Sequence, residues 1–198
     1  EVHYCGYAHE GSFGASSYLI RRAAGNVMVD SPRAAGPLLR RIDAMGGVRL
    51  MFLTHQDDVA DHDIIHRRYG CDRILHEADR HGGTRGIERP IAGREPLILD
   101  ADLTVIPVPG HTRGSAALLY REEFLFTGDH LWGLEDGRLG ASRGVAWHSW
   151  AEQIRSMERL RDVPFRWVLP GHGRRWLARS EAHRRECLEA LIERMKRR

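Results

Sequence analysis

Arg49-Leu-Met-Phe-Leu-Thr-His-Gln-Asp-Asp-Val-Ala-Asp-His62 is the stretch on which the reading of the fold turns. Its first part, Arg49 to Thr54, is a continuous apolar run, the mark of a short strand buried on both faces. The remainder is polar. It places His55, Asp57, Asp58, Asp61 and His62 close together immediately after the strand's C-terminal end. In α/β proteins the loops beyond strand ends are where a rigid scaffold presents chemistry.

Working outward, similar units recur. Ser17 to Arg22 and Asn26 to Asp30 read as a hairpin across Ala23-Ala24-Gly25. Asp30-Ser31-Pro32 reads as a helix start, with Leu38, Leu39, Ile42 and Met45 at helical spacing and Gly46-Gly47 as the stop. A short helix through Ile64, Ile65 and Tyr69 ends at Gly70, and Arg73 to His76 is a strand. Glu77 to Gly93 reads mostly as loop. Strands return at Pro96 to Leu99, Leu103 to Val108, Ala116 to Tyr120 and Phe124 to Thr127. Leu131 to Trp147 is irregular. Trp150 to Arg161 is an amphipathic helix capped by Ser149, Trp167 to Leu169 is a last strand, and Ser180 to Arg197 a final helix. Strands interleaved with helices, without a long linker or repeat, predict one layered α/β domain over residues 1–198.

Composition narrows the function. A chain of 198 residues with 42% hydrophobic content can bury a core, which excludes low-complexity disorder. No apolar run approaches the roughly 20 residues of a spanning helix, so no membrane partner is expected. The thirty basic residues, of which only Lys196 is lysine, are interspersed with 27 acids rather than set in a stripe. A small-molecule substrate is therefore expected rather than a nucleic acid. The chain opens Glu-Val-His-Tyr-Cys without a basic-then-apolar start, and its three cysteines are far apart. Reduced thiols in a cytoplasm are the expectation.

Histidine is the outlier, with 12 residues. Four of them follow strand ends: His55, His111 in Pro109-Gly-His, His130 in Thr127-Gly-Asp-His, and His172 in Pro170-Gly-His. Together with Asp129 and the Asp61-His62 pair they make an imidazole and carboxylate set suited to Zn²⁺, Fe or Mn²⁺. His3, His9, His76, His81 and His183 have no motif context.

The order Thr54-His55…Asp61-His62, Pro109-Gly-His-Thr-Arg-Gly-Ser115, Thr127-Gly-Asp129 and Pro170-Gly-His-Gly173 resembles the metallo-β-lactamase fold superfamily of metal-dependent hydrolases. The resemblance implies a four-layer αββα sandwich holding one or two divalent ions. By that likeness His55 and His111 serve the first metal, Asp129 bridges, and Asp61, His62 and His172 serve the second. The chain departs from the superfamily's HxHxDH motif. Asp57 stands where the second His belongs, and two additional residues precede Asp61-His62. Either Asp57 or Asp58 supplies a carboxylate in place of the imidazole, or the first metal site is incomplete; in an alternative register His66, one helical turn beyond His62, supplies the missing nitrogen. The variant Thr-His-x-Asp-Asp-Val-Ala-Asp-His reads as a subfamily trait, and a carboxylate would favour a harder ion.

The resemblance also implies the chemistry. Zinc is the first expectation for the ion, with iron or manganese as alternatives. A metal-activated water would attack an ester-type bond (thioester, lactone or carboxylic ester), with Asp61 orienting it or moving its proton. His130, His148 and Trp132 are candidates for the substrate pocket. Two other readings remain open from the sequence: a mononuclear-iron oxygenase of the same fold, such as a persulfide dioxygenase, and a non-catalytic metal-binding domain.

Overall fold

The computed structural model describes residues 1–197 of the chain. It divides into two compact units, Glu1–Ala92 and Gly93–Arg198. The first holds a six-stranded sheet in the order β1 (Val2–Tyr4), β2 (Tyr18–Ile20), β3 (Val27–Val29), β4 (Leu50–Phe52), β5 (Asp72–His76), β6 (Arg89–Ile91). The first three strands pair antiparallel and the rest parallel. Parallel neighbours need a crossover, and α1 (Gly36–Ala44) and α2 (His62–Tyr69) supply two of them.

β4 is the apolar run of the opening motif. Met51 and Phe52 point to opposite faces and both are fully buried. Register puts Leu19, Met28 and Met51 in one row. That row joins Leu38 and Ile42 of α1 and Ile65 of α2 in a single core. Each such side chain stabilises the fold by about 1.5–3 kcal/mol when buried.

The second unit repeats the scheme with a different connectivity. Its sheet runs β14 (Trp176–Leu177), β13 (Trp167–Pro170), β10 (Phe124–Gly128), β9 (Ala116–Tyr120), β8 (Leu103–Pro107), β7 (Leu97–Asp100). Only the β10–β13 pair is parallel. A small hairpin, β11 (Trp132–Gly133) with β12 (Leu139–Gly140), lies in the segment read as irregular. Met157 of α3 (Trp150–Arg159) and Leu188, Leu191, Ile192 and Met195 of α4 (Glu181–Lys196) share a core with Ile106, Ala117 and Leu125. Ser149 and Ser180 cap these helices, accepting from the N–H groups of Glu152 at 3.2 Å and His183 at 3.1 Å.

Two readings are corrected. The first helix begins at Gly36, with Pro37 in its first turn, not at Ser31-Pro32. The intervening backbone is engaged elsewhere: Ser31 N–H bonds the Asp58 carbonyl at 3.0 Å and Arg33 N–H the Tyr7 carbonyl at 2.7 Å. The Glu77-to-Gly93 stretch contains β6, whose Pro90 hides it from propensity because proline suits only an edge strand. Among the described residues no helix is long and apolar enough to cross a membrane.

Candidate metal centre

In the first unit β4 delivers Thr54 and His55 into the loop before α2. Asp30, just past β3, is buried with φ 56°, a conformation that aspartate tolerates better than most residues. Its Oδ1 accepts the Thr54 N–H at 2.7 Å, and its carboxylate accepts the Thr54 hydroxyl at 3.0 Å. A hydroxyl has one proton, and here it goes to Asp30. Thr54 Oγ1, 2.9 Å from His55 Nδ1, therefore accepts from that nitrogen. The imidazole is held with its proton on Nδ1 and a lone pair on Nε2, the tautomer a metal ligand needs.

His55 is 1% exposed, and its Nε2 lies 3.8 Å from Asp57 Oδ2 and 4.0 Å from Asp58 Oδ1. Two ligands each about 2.1 Å from one ion sit at most about 4.2 Å apart. Both carboxylates are thus within range of sharing an ion with His55. The loop is pinned by Asp79, whose carboxylate accepts Gln56 N–H at 3.1 Å, and by Asp58, whose carbonyl accepts Ser31 N–H.

Asp61 and His62 face other partners in this unit. Asp61 Oδ2 accepts Ala34 N–H at 2.8 Å, and its Oδ1 lies 3.7 Å from His9 Nε2. His9 Nδ1 accepts Gly11 N–H at 2.8 Å, so its proton is on Nε2, toward Asp61. His62 Nδ1 lies 2.8 Å from an Arg73 guanidinium nitrogen. Burial lowers the His62 pKa below the ordinary histidine value. His66 Nδ1 bonds the Cys71 carbonyl at 2.8 Å, and its Nε2 lies 3.5 Å from Glu88 Oε1.

In the second unit His111 is also 1% exposed. Its Nδ1 bonds the Val145 carbonyl, and because a carbonyl only accepts, Nε2 again carries the lone pair. That nitrogen lies 3.8 Å from Asp129 Oδ2. Asp129 Oδ1 accepts from His172 Nδ1 at 2.7 Å. The His111 loop is gripped by α3 and the residues leading into it. Ser149 N–H bonds the Gly110 carbonyl at 3.0 Å, His148 N–H the His111 carbonyl at 2.9 Å, and Ser156 Oγ the Pro109 carbonyl at 2.7 Å. Gly110 is obligatory: a Cβ there would lie 2.5 Å from Gln153 Cα.

The pocket candidates sit around these groups. His130 is buried, and desolvation followed by the charge of His111 pushes its pKa down to about 3, so it is neutral. Trp132 packs where a Cβ on Gly173 would be, next to His172 in sequence. The Trp147 ring lies 4.7 Å from that of His111 while remaining 57% exposed, and the His148 side chain is exposed. Sequence reasoning assigned no role to Asp30 or His9. Asp30 was legible only as the residue closing a strand beside β4, and His9 carried no signal.

The whole chain compares with solved structures of one fold. It matches the crystal structure of BLEG-1 B3 metallo-beta-lactamase with a TM-score of 0.72 and 19% identity, covering 94% of this chain and 96% of that one. A metallo-beta-lactamase family protein from Thermus thermophilus matches at 0.68, with 21% identity over 99% of this chain and 79% of that chain. This is a protein of the metallo-β-lactamase fold. ETHE1 from Myxococcus xanthus shares that fold at a TM-score of 0.67 and 18% identity, over 99% of this chain and 90% of that one. In sequence, the metallo-β-lactamase-fold chain is 34% identical over 153 residues to the hydroxyacylglutathione hydrolase of Methylococcus capsulatus (strain Bath). It is 33% identical over 154 residues to that of Rhodospirillum rubrum. Each match covers 74% of this chain, which spans 57% of the length of these curated relatives. No family model matches the chain.

Proposed function

We propose that this chain is a metal-dependent thioester hydrolase acting on a small hydroxyacyl thioester. The observation that carries this reading is the 34% identity over 153 residues to a hydroxyacylglutathione hydrolase. His55 with Asp57 or Asp58 in the first unit, and His111 with Asp129 and His172 in the second, are proposed as metal ligands, and residues 1–198 are proposed to be a single domain. The residues fit such an ion. His55 and His111 are buried with Nδ1 committed to a protein acceptor, so each has an Nε2 lone pair to offer. The donor set is nitrogen and oxygen only, which suits zinc and also iron or manganese.

A bound divalent ion would supply Lewis acidity, lowering the pKa of a water toward neutrality and polarising a carbonyl oxygen. The protein's own part is proton handling and orientation. Asp61, held by Ala34 N–H and faced by His9, is proposed to orient the attacking water and take its proton, with His9 completing the pair. His130, Trp132 and His148 are proposed to line the acyl pocket. With Cys5, Cys71 and Cys187 all free thiols, a cytoplasmic location is proposed.

The test follows thiol release from a 2-hydroxyacyl thioester of glutathione, using the zinc-loaded full chain. Lactones and phosphodiesters serve as alternative substrates. Thioester turnover should be abolished by a chelator, restored by zinc, and lost together with bound metal in Asp129→Ala. Oxygen uptake with a persulfide by the iron-loaded chain, with no thioester turnover by the zinc-loaded one, would move the reading to an iron oxygenase. Full activity of Asp129→Ala with its metal retained would remove it altogether.

A further inference from the structure

We propose that His62 is not a metal ligand but the buried acceptor that seats Arg73, and that the chain holds one metal ion rather than two. The inference rests on the reading of this protein as metal-dependent and departs from the second-metal role that the resemblance gives His62.

Arginine only donates, so Arg73, 2.8 Å from His62 Nδ1, obliges that nitrogen to accept. A neutral imidazole accepting at Nδ1 carries its proton on Nε2. One nitrogen is then occupied by a cation's N–H and the other has no lone pair in the ring plane. His55, His111 and His172 have the opposite polarity, with Nδ1 donating to Thr54, the Val145 carbonyl and Asp129. That donation to an oxygen is the usual support of a ligating histidine, and His62 alone of these four lacks it.

Arg73 is not a side chain that could swing aside to free His62. It is 4% exposed and meets Glu88 through Nε at 3.0 Å and a terminal nitrogen at 2.7 Å. It also pairs with Asp63 and donates to the Gly86 carbonyl at 3.3 Å. Its backbone N–H adds a bond to Glu88 at 2.9 Å. Asp61, the other member of the pair, is directed at Ala34 and His9. The Asp-His pair thus serves proton handling and the packing of α2 on β5.

Metal analysis and nitrogen NMR on the full chain test this. Protein purified from zinc-supplemented medium should contain one ion per chain, in the wild type and in His62→Gln alike, whereas His111→Ala should lose it. Long-range ¹H–¹⁵N spectra should show His62 protonated at Nε2 both after chelation and after zinc loading. Two ions per chain, or an His62 nitrogen resonance displaced by zinc, would overturn the proposal. Absence of any bound metal from the wild type would sink the hydrolase reading instead, and the His62 tautomer would still be decided. Should His62→Gln fail to fold, wild-type stoichiometry and the spectra decide alone.

Discussion

Tautomers are decided one residue at a time, and in this protein they separate candidate ligands from look-alikes. Thr54 is the clearest example. Its hydroxyl passes its only proton to Asp30 and so obliges His55 to donate from Nδ1. Replacing it with valine keeps the branched shape but removes the acceptor, leaving the His55 ring free to rotate or change tautomer. Losses of this kind cost about 10–100-fold in metal affinity. Thr54→Val should show that drop in a competition titration against a chelating dye, with its circular dichroism unchanged. An unaltered affinity would mean that the Asp30–Thr54–His55 chain is not what orients the ligand.

Among the elements, α3 has a task beyond covering its sheet. Ser156 within it binds the Pro109 carbonyl, and His148 and Ser149 leading into it bind those of His111 and Gly110, so the helix and its entry position the loop that carries a candidate ligand. The contact demands glycine at 110, where any Cβ would press on the Gln153 backbone. Gly110→Ala should therefore cost roughly 1–3 kcal/mol, the usual penalty of overpacking, and should also reduce metal content because His111 moves with the loop. Denaturant unfolding and metal analysis measure the two effects together. Gly144→Ala is the control. Its added methyl meets only Ser142 Oγ at 3.5 Å, and neither quantity should change.

For the molecule as a whole, the buried Arg73 network makes stability depend on pH. The Arg73 guanidinium holds Glu88 down at about 2, against an ordinary value of 4.5. Below pH 4.5 the unfolded chain takes up a proton at Glu88 that the folded chain refuses until about pH 2. This contribution is therefore complete above pH 4.5 and is lost as the pH falls toward 2. Glu88→Gln should flatten the acid limb of a melting-temperature profile between these limits while lowering stability at neutral pH. Parallel profiles for variant and wild type would show that the pair does not set acid stability.

Much of this was already present in the linear chain. Apolar runs marked β4, β8, β9 and β10 because burial on both faces leaves no room for polar alternation. Serines at 149 and 180 marked helix starts because a hydroxyl can satisfy the exposed N–H groups of a first turn. The histidines at strand ends, in their order, pointed to the fold and to a nitrogen and oxygen donor set. The short strands β1, β6 and β14 were not legible, since their pairing comes from neighbours in the sheet and not from their own pattern. The sequence could set His62 beside Asp61 as an apparent ligand pair, but the proton on its ring depends on Arg73, which arrives from β5. Composition and spacing are local properties and determined which donors this protein owns. A hydrogen-bond partner is a tertiary property, and only the packing of strand against helix decided which nitrogens remained able to bind a metal.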